Sequence, residues 1–234
     1  MTFSSVPEPQ GCAACGHDHL VEFYETEEFL VATVTDFVVA GLGSDGVAIV
    51  VATPEHREAF ADAVGAEGVD VEAAARDGRY MAVDAAELLS TFMVGGALDP
   101  VRFRAAVTAL LDRAAAGERS VRVYGEMVAL LWGAGDVAST IALEDLWNEL
   151  AEVRAFSLFC GYPIQGFDVQ SRAVFKHICG QHGTVVPAES YPSAGTVDEQ
   201  QRVVAGLQQE NAALRAELER LRAGRDGPTA PGAA

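Results

Sequence analysis

Residues 121–150 read VRVYGEMVALLWGAGDVASTIALEDLWNEL, and no other stretch of the chain narrows the possible folds as much. Val121, Val123 and Tyr124 favour a strand and Gly125 permits a sharp turn. Met127, Leu130, Leu131, Val137, Ile141, Leu143, Leu146, Trp147 and Leu150 then recur at largely helical spacings. A short β-type run thus passes straight into a long amphipathic helical stretch. An acid, Glu126, stands at the junction, where open α/β sheets place their ligand crevices. Trp132 and Trp147 read as packing elements of that stretch, since large aromatics are usually buried.

The same grammar recurs along the chain. Leu20 to Tyr24 alternates like a first strand, and residues 27–41 form a helical pattern. GVAIVVA, residues 46–52, is a short β-branched apolar run of the kind buried on both faces of a parallel sheet. Thr53 then supplies an N-cap, Pro54 fits the first helical position, and the helix continues to Gly65. GVDVEAAARDG predicts a short helix, residues 80–84 a strand, residues 85–93 a helix, and Asp99-Pro100 the start of another running to about residue 116. FSLFCG, residues 156–161, predicts a further strand. Strands alternating with helices argue for a three-layer α/β fold with a mostly parallel sheet flanked by helices.

Four segments follow from this pattern. Residues 1–18 are a polar lead-in with a Cys/His cluster, 19–192 the α/β domain, 193–223 a coiled-coil helix, and 224–234 a disordered tail by composition. In the coiled-coil segment a heptad frame puts Val197, Val204, Asn211 and Leu218 at a, with Gln200, Leu207, Leu214 and Leu221 at d. Leucine at d with a single asparagine at a favours a parallel two-stranded coil, because paired asparagines hydrogen-bond only in register. Glu210 and Glu217 fall at g, and Arg215 and Arg222 at the following e positions, so the charges fit a homodimer. Val204, Leu207, Asn211, Leu214, Leu218 and Leu221 are the expected dimer contacts.

Charge excludes some functions. Sixteen Lys and Arg against 34 Asp and Glu give a formal net charge of −18, and no basic stripe is visible, which opposes direct binding of DNA or RNA. The N-terminus lacks the basic and apolar regions of a signal peptide, and no apolar run approaches the roughly 18 residues of a membrane helix. The expected location is therefore cytoplasmic, where four cysteines are more often thiols, metal ligands or redox sensors than a disulfide framework. A phosphate-gripping loop should follow the first strand with glycines and a lysine. That position reads Tyr24-Glu25-Thr26-Glu27-Glu28, and its three carboxylates would repel a triphosphate. The glycines between 41 and 46 precede a strand and read as a turn.

Cys12, Cys15, His17 and His19 place two thiols and two imidazoles within eight residues, a spacing that can clamp a tetrahedral metal such as zinc, or act as a redox pair. His177, Cys179 and His182 form a second, looser group. Cys160 reads as core. Glu144 and Asp145 are ambiguous, because helical acids usually form a solvated face, and Glu22 and Arg122 read as sheet-edge or ion-pair residues. At the strand ends, Tyr24, Glu25, His56, Asp84 and Glu126 are the candidate ligand-binding residues.

Six blocks in order, HLVEFYETEEFL, VATPEHREAF, GRYMAVDAAELLSTFM, DPVRF, VRVYGEMVALLW and LEDLWNEL, resemble the MEDS family, the methanogen/methylotroph sensory domain, over about residues 17–190. The resemblance implies a RecA-like ATPase fold adapted to non-catalytic sensing of small organic compounds. It also implies a signalling partner such as a histidine kinase, an anti-sigma factor or a transcription regulator. Here a short coiled coil follows the sensory blocks in place of those output modules. Two other functions stay open: a metal- or redox-responsive regulator built on Cys12, Cys15, His17 and His19, and a degenerate nucleotide-binding enzyme with Glu126 as base.

Overall fold

The computed structural model describes residues 18–43, 45–115, 119–166 and 172–189. Strand β1 (His19–Tyr24) leads through Glu25-Thr26 into α1 (Glu27–Gly43). Strand β2 (Val47–Ala52) is buried along its whole length, and Thr53 caps α2 (Pro54–Ala66) by accepting the His56 N–H. Helix α3 (Val71–Arg76) precedes β3 (Tyr80–Asp84), where Asp84 ends the strand and caps α4 (Ala85–Ser90) by accepting from the Ala86 and Glu87 amides. Strands β4 (Met93–Val94) and β5 (Ala97–Leu98) form a small hairpin turned by Gly95 and Gly96, at φ 59° and 84°. Asp99 caps α5 (Pro100–Ala114), and β6 (Val121–Gly125) then runs through Glu126 into α6 (Met127–Gly133) and α7 (Val137–Ala151). Strand β7 (Ser157–Pro163), a 3-10 turn (Ile164–Gly166), α8 (Arg172–Gln181) and β8 (Thr184–Val186) complete the described chain.

Among the described residues, six parallel strands form one sheet in the order β3-β2-β6-β7-β1-β8. One face carries Leu20, Ala48, Val50, Tyr124 and Phe159 against α1, α2 and α3. The other carries Val21, Ile49, Val51, Val123 and Leu158 against α4 to α8. The chain is thus a three-layer α/β domain, and β2 and the Leu158–Tyr162 part of β7 are buried without a break because both faces of the sheet are covered. Trp132 and Trp147 are buried in the second layer, with Trp147 edge-on to Phe103.

Three local departures from the sequence pattern have simple causes. The stretch after Glu126 is two helices, because Gly135 takes φ 76° and Asp136 then caps a new helix through the Ser139 amide. Helix α4 stops at Ser90, short of residue 93, because Met93 pairs across the Gly95-Gly96 hairpin. Helix α8 and strand β8 stand where the sequence pattern marked no element: α8 packs Val174, Phe175 and Ile178 on the core, and β8 is held by pairing with β1. Residues 1–17 and 190–234, which hold most of the lead-in and the heptad segment, lie outside the described residues.

Candidate functional site

Strands β2 and β6 are neighbours, yet the helix after β2 packs on one face of the sheet and the helices after β6 on the other. The connections leaving their carboxyl ends therefore diverge to opposite faces, which is where an open α/β sheet places its ligand crevice. Glu126 sits in it. Its N–H donates to Val51 O, which holds the residue against β2. The residue is 4% exposed and its side chain makes no cap bond to its own helix. Instead the carboxylate accepts from the Thr53 N–H at 2.9 Å, from the Tyr124 hydroxyl at 3.0 Å, and from His56 Nδ1 at 2.5 Å.

His56 is the hinge of this constellation. Its hydrogen bond to Glu126 outweighs its partial burial, and with help from Glu27 it pushes the imidazole up to about 9. The ring is therefore charged at neutral pH and donates from both nitrogens, inward to Glu126 and outward through Nε2 to Glu27 Oε2 at 2.5 Å. The two acids differ in exposure. The Glu126 side chain is 5% exposed and that of Glu27, in the first turn of α1, is 64% exposed. Tyr24, at the end of β1, is buried; burial first, then Glu27 and Glu126, push its phenol up, so it stays a neutral donor.

Glu25 takes part through its main chain. Its N–H donates to Glu189 Oε2 at 2.7 Å, and the Thr26 N–H and hydroxyl donate to Glu189 Oε1 at 2.7 and 2.6 Å. Gln165 Nε2 donates to Glu25 O. The turn where a phosphate loop would grip an anion is thus filled by the protein's own carboxylate. Asp84 stands apart from this group. It is committed to capping α4 and to Arg57 Nη2 at 3.0 Å. Of the five candidate ligand residues, Tyr24, His56 and Glu126 come together around one crevice, with the Glu25 turn beside them and Asp84 engaged elsewhere.

A second constellation lies in the layer of α7 and α8. His19, Glu144, Cys160 and His182 are all buried, and one donor atom from each falls within 4.8 Å of the others. Glu144 Oε2 is 3.5 Å from His19 Nε2, 3.5 Å from His182 Nε2 and 3.9 Å from Cys160 Sγ; Cys160 Sγ is 3.6 Å from His19 Nε2. The other Glu144 oxygen accepts the Tyr162 hydroxyl at 2.5 Å. His19 Nδ1 donates to Asn148 Oδ1 at 2.8 Å and His182 Nδ1 to Ile178 O at 2.7 Å. Both Nε2 atoms therefore present lone pairs inward, and His182 Nε2 has no hydrogen-bond partner. Burial drives the imidazoles down, His19 to about 4 and His182 to about 3, and drives the Glu144 carboxyl up to about 7. These four residues could hold a metal ion.

This cluster redraws the thiol and imidazole groupings expected from spacing. His19 joins it, whereas Cys12, Cys15 and His17 lie outside the described residues. His182 also joins, while His177 is exposed and Cys179, half-buried, packs on the core. Cys160 is core, as its sequence implies, and a ligand candidate as well. Glu144 is fully buried rather than on a solvated face, although the signal was there: positions 140, 143, 144 and 147 fall on one helical stripe. Glu22 lies in an interior strand, fully buried, with Thr33 donating to its carboxyl, and burial pushes it up to about 8. Arg122 donates to Phe37 O and stacks over the Phe37 ring.

Residues 18–183 match the family described as MEDS, the methanogen/methylotroph, DcmR sensory domain. The chain belongs to the MEDS family. No curated protein matches it significantly. The matched span begins just before β1 and ends at the loop after α8, so both constellations lie within the MEDS domain. No helix among the described residues is long and apolar enough to cross a membrane.

Proposed function

We propose that this MEDS domain is a non-catalytic cytoplasmic sensor that takes a small organic ligand into the crevice at Glu126 and passes the signal through a coiled-coil homodimer or a partner regulator. The observation that carries the reading is the asymmetry around His56. Its inner N–H is fixed on a buried carboxylate, while its outer N–H is held by a side chain that is mostly in water. A ligand oxygen can replace Glu27 as acceptor without breaking the buried pair. The exchange releases the first turn of α1, and the Glu25-Thr26 turn just before it is tied by the Glu189 carboxylate to the chain leading toward the heptad segment.

Catalysis is the weaker reading, because three donors already converge on Glu126 and leave it poorly placed to take a substrate proton. The energetic demand on a sensor is modest: shifting a two-state dimer from mostly one form to mostly the other takes about 5.5 kcal/mol of differential affinity. Calorimetry with a panel of short alcohols, aldehydes and carboxylates tests the site. A member of the panel should bind the full chain, lose affinity at least tenfold in His56→Gln, and retain it in Glu27→Gln. Equal binding in His56→Gln would place the ligand elsewhere. Truncation near residue 192 should convert dimer to monomer; a truncated chain that stays dimeric would remove the heptad segment from the route.

A further inference from the structure

The arrangement of His19, Glu144, Cys160 and His182 has no satisfactory account as a hydrogen-bonded network. Each imidazole spends its N–H on a carbonyl oxygen, Asn148 Oδ1 for His19 and Ile178 O for His182. What remains facing the centre is two nitrogen lone pairs, a carboxylate oxygen and a sulfur. Without charging an imidazole these groups can share only the Cys160 S–H and, where Glu144 is protonated, its carboxyl proton, and in this geometry neither reaches His182 Nε2 in a hydrogen bond. His182 Nε2 is left unpartnered, with its side chain 0% exposed. An unpaired buried polar atom costs about 1–3 kcal/mol, and native proteins rarely leave one without an ion or water.

We propose that these four residues form a closed, four-coordinate site for a zinc-class divalent cation. The distances fit the chemistry. At the bond lengths zinc makes to nitrogen, oxygen and sulfur, tetrahedral ligands stand about 3.3–3.6 Å apart. The two nitrogen-to-oxygen separations are 3.5 Å each and Cys160 Sγ to His19 Nε2 is 3.6 Å, within that range; sulfur to oxygen, at 3.9 Å, is slightly longer, and the pairs of His182 with His19 and with Cys160 lie within 4.8 Å, so a small inward movement of the ligands completes the shell. Charge also balances. One thiolate and one carboxylate neutralise the dication, and two neutral imidazoles complete the shell, so a neutral centre replaces an under-paired polar cavity. Binding releases the thiol proton to solvent, with the carboxyl proton where Glu144 carries one.

The supporting shell already has the form such sites use. Each histidine is oriented by an acceptor on its other nitrogen, and the second Glu144 oxygen is held by Tyr162. All four positions are protein atoms and none is open, which marks a structural or regulatory metal rather than a Lewis acid. The site fastens β1, β7, α7 and the loop after α8 to one another. That loop leads within seven residues to Glu189, whose carboxylate holds the Glu25-Thr26 turn. The site is independent of the ligand crevice, so either assignment can fail without the other.

Metal analysis and cobalt spectroscopy on the full chain test it. Protein purified without chelator should carry one zinc per chain, and stripped protein should take up one cobalt with tetrahedral d–d bands and a thiolate-to-cobalt charge-transfer band. The thiolate band should persist when Cys12→Ser, Cys15→Ser and Cys179→Ser are combined, since Cys160 is then the sole thiol, and vanish in Cys160→Ser. X-ray absorption at the zinc edge should show one sulfur and three nitrogen or oxygen neighbours, a readout that stands even where Cys160→Ser does not fold. Failure to take up stoichiometric metal, uptake without a thiolate band, or a band lost in the triple variant would overturn the assignment.

Discussion

The two constellations use the same pair of residue types to opposite ends. In the crevice a histidine meets Glu126 and Glu27 at the sheet edge, and the imidazole rises to about 9. Around Glu144 two histidines meet a glutamate in the interior, and they fall to about 4 and 3. What differs is where the second hydrogen bond goes. His56 gives both N–H groups to carboxylates, so its charged form is favoured. His19 and His182 each give one N–H to a neutral carbonyl and turn a bare nitrogen inward, so burial wins and the neutral form persists. The crevice is electrostatically complete and can change by exchanging a partner; the interior cluster is incomplete and calls for a cation.

The largest expected effect is on the interior side. Zinc at a thousandfold excess over its Kd should stabilise the chain by about 4 kcal/mol, which for a domain of this size is about 8–16 °C in Tm. Calorimetric scans of stripped and reloaded protein measure it, and an equal Tm in both would erase the contrast.

On the crevice side, Glu126→Gln should cost about 1–3 kcal/mol in urea unfolding, because it weakens the charge-assisted bond to His56 while leaving an acceptor for Thr53. The same variant should lose part of the wild-type pH dependence. A histidine raised to about 9 contributes stability that is full below its unfolded pKa and is lost as pH rises through about 9. Glu22, raised to about 8, adds a loss of the same sign as pH rises toward its folded value, so the comparison with His56→Gln isolates the crevice. Wild type should lose more stability than His56→Gln between neutral and alkaline pH; parallel curves would mean that His56 is not paired as described.

Gly161→Ala probes the wall between the two regions. A Cβ there would stand 2.8 Å from the Tyr124 hydroxyl and 3.3 Å from Leu30 Cδ1, pushing on the group that donates to Glu126. A loss of about 1–3 kcal/mol is expected, with metal uptake unchanged. The smallest effect is that of Glu27→Gln, about 0–1 kcal/mol for so exposed a partner, together with a drop in the His56 pKa readable by NMR.

Most of the fold was legible because it rests on local rules. The β-branched run of β2, the Thr53-Pro54 start of α2 and the Asp99-Pro100 start of α5 each stand where the sequence puts them. The hairpin at Gly95-Gly96 was harder to see because its strands are two residues each. Glu126 was legible for a topological reason, being the residue after a central strand. The interior cluster was not, since its members come from β1, α7, β7 and the loop after α8, and only strand pairing brings His19 and Cys160 together. The compact Cys12-to-His19 motif drew attention to spacing, whereas the buried group forms through contacts 141 residues apart in sequence.

The most direct test of the contrast is nitrogen NMR of the histidine rings in the metal-free chain near neutral pH. His56 should carry protons on both nitrogens, while His19 and His182 should be neutral, each with a proton on Nδ1 and a bare Nε2. Adding zinc should shift the Nε2 signals of His19 and His182 and leave His56 unchanged. A neutral His56, or a proton on Nε2 of either interior histidine, would contradict the account.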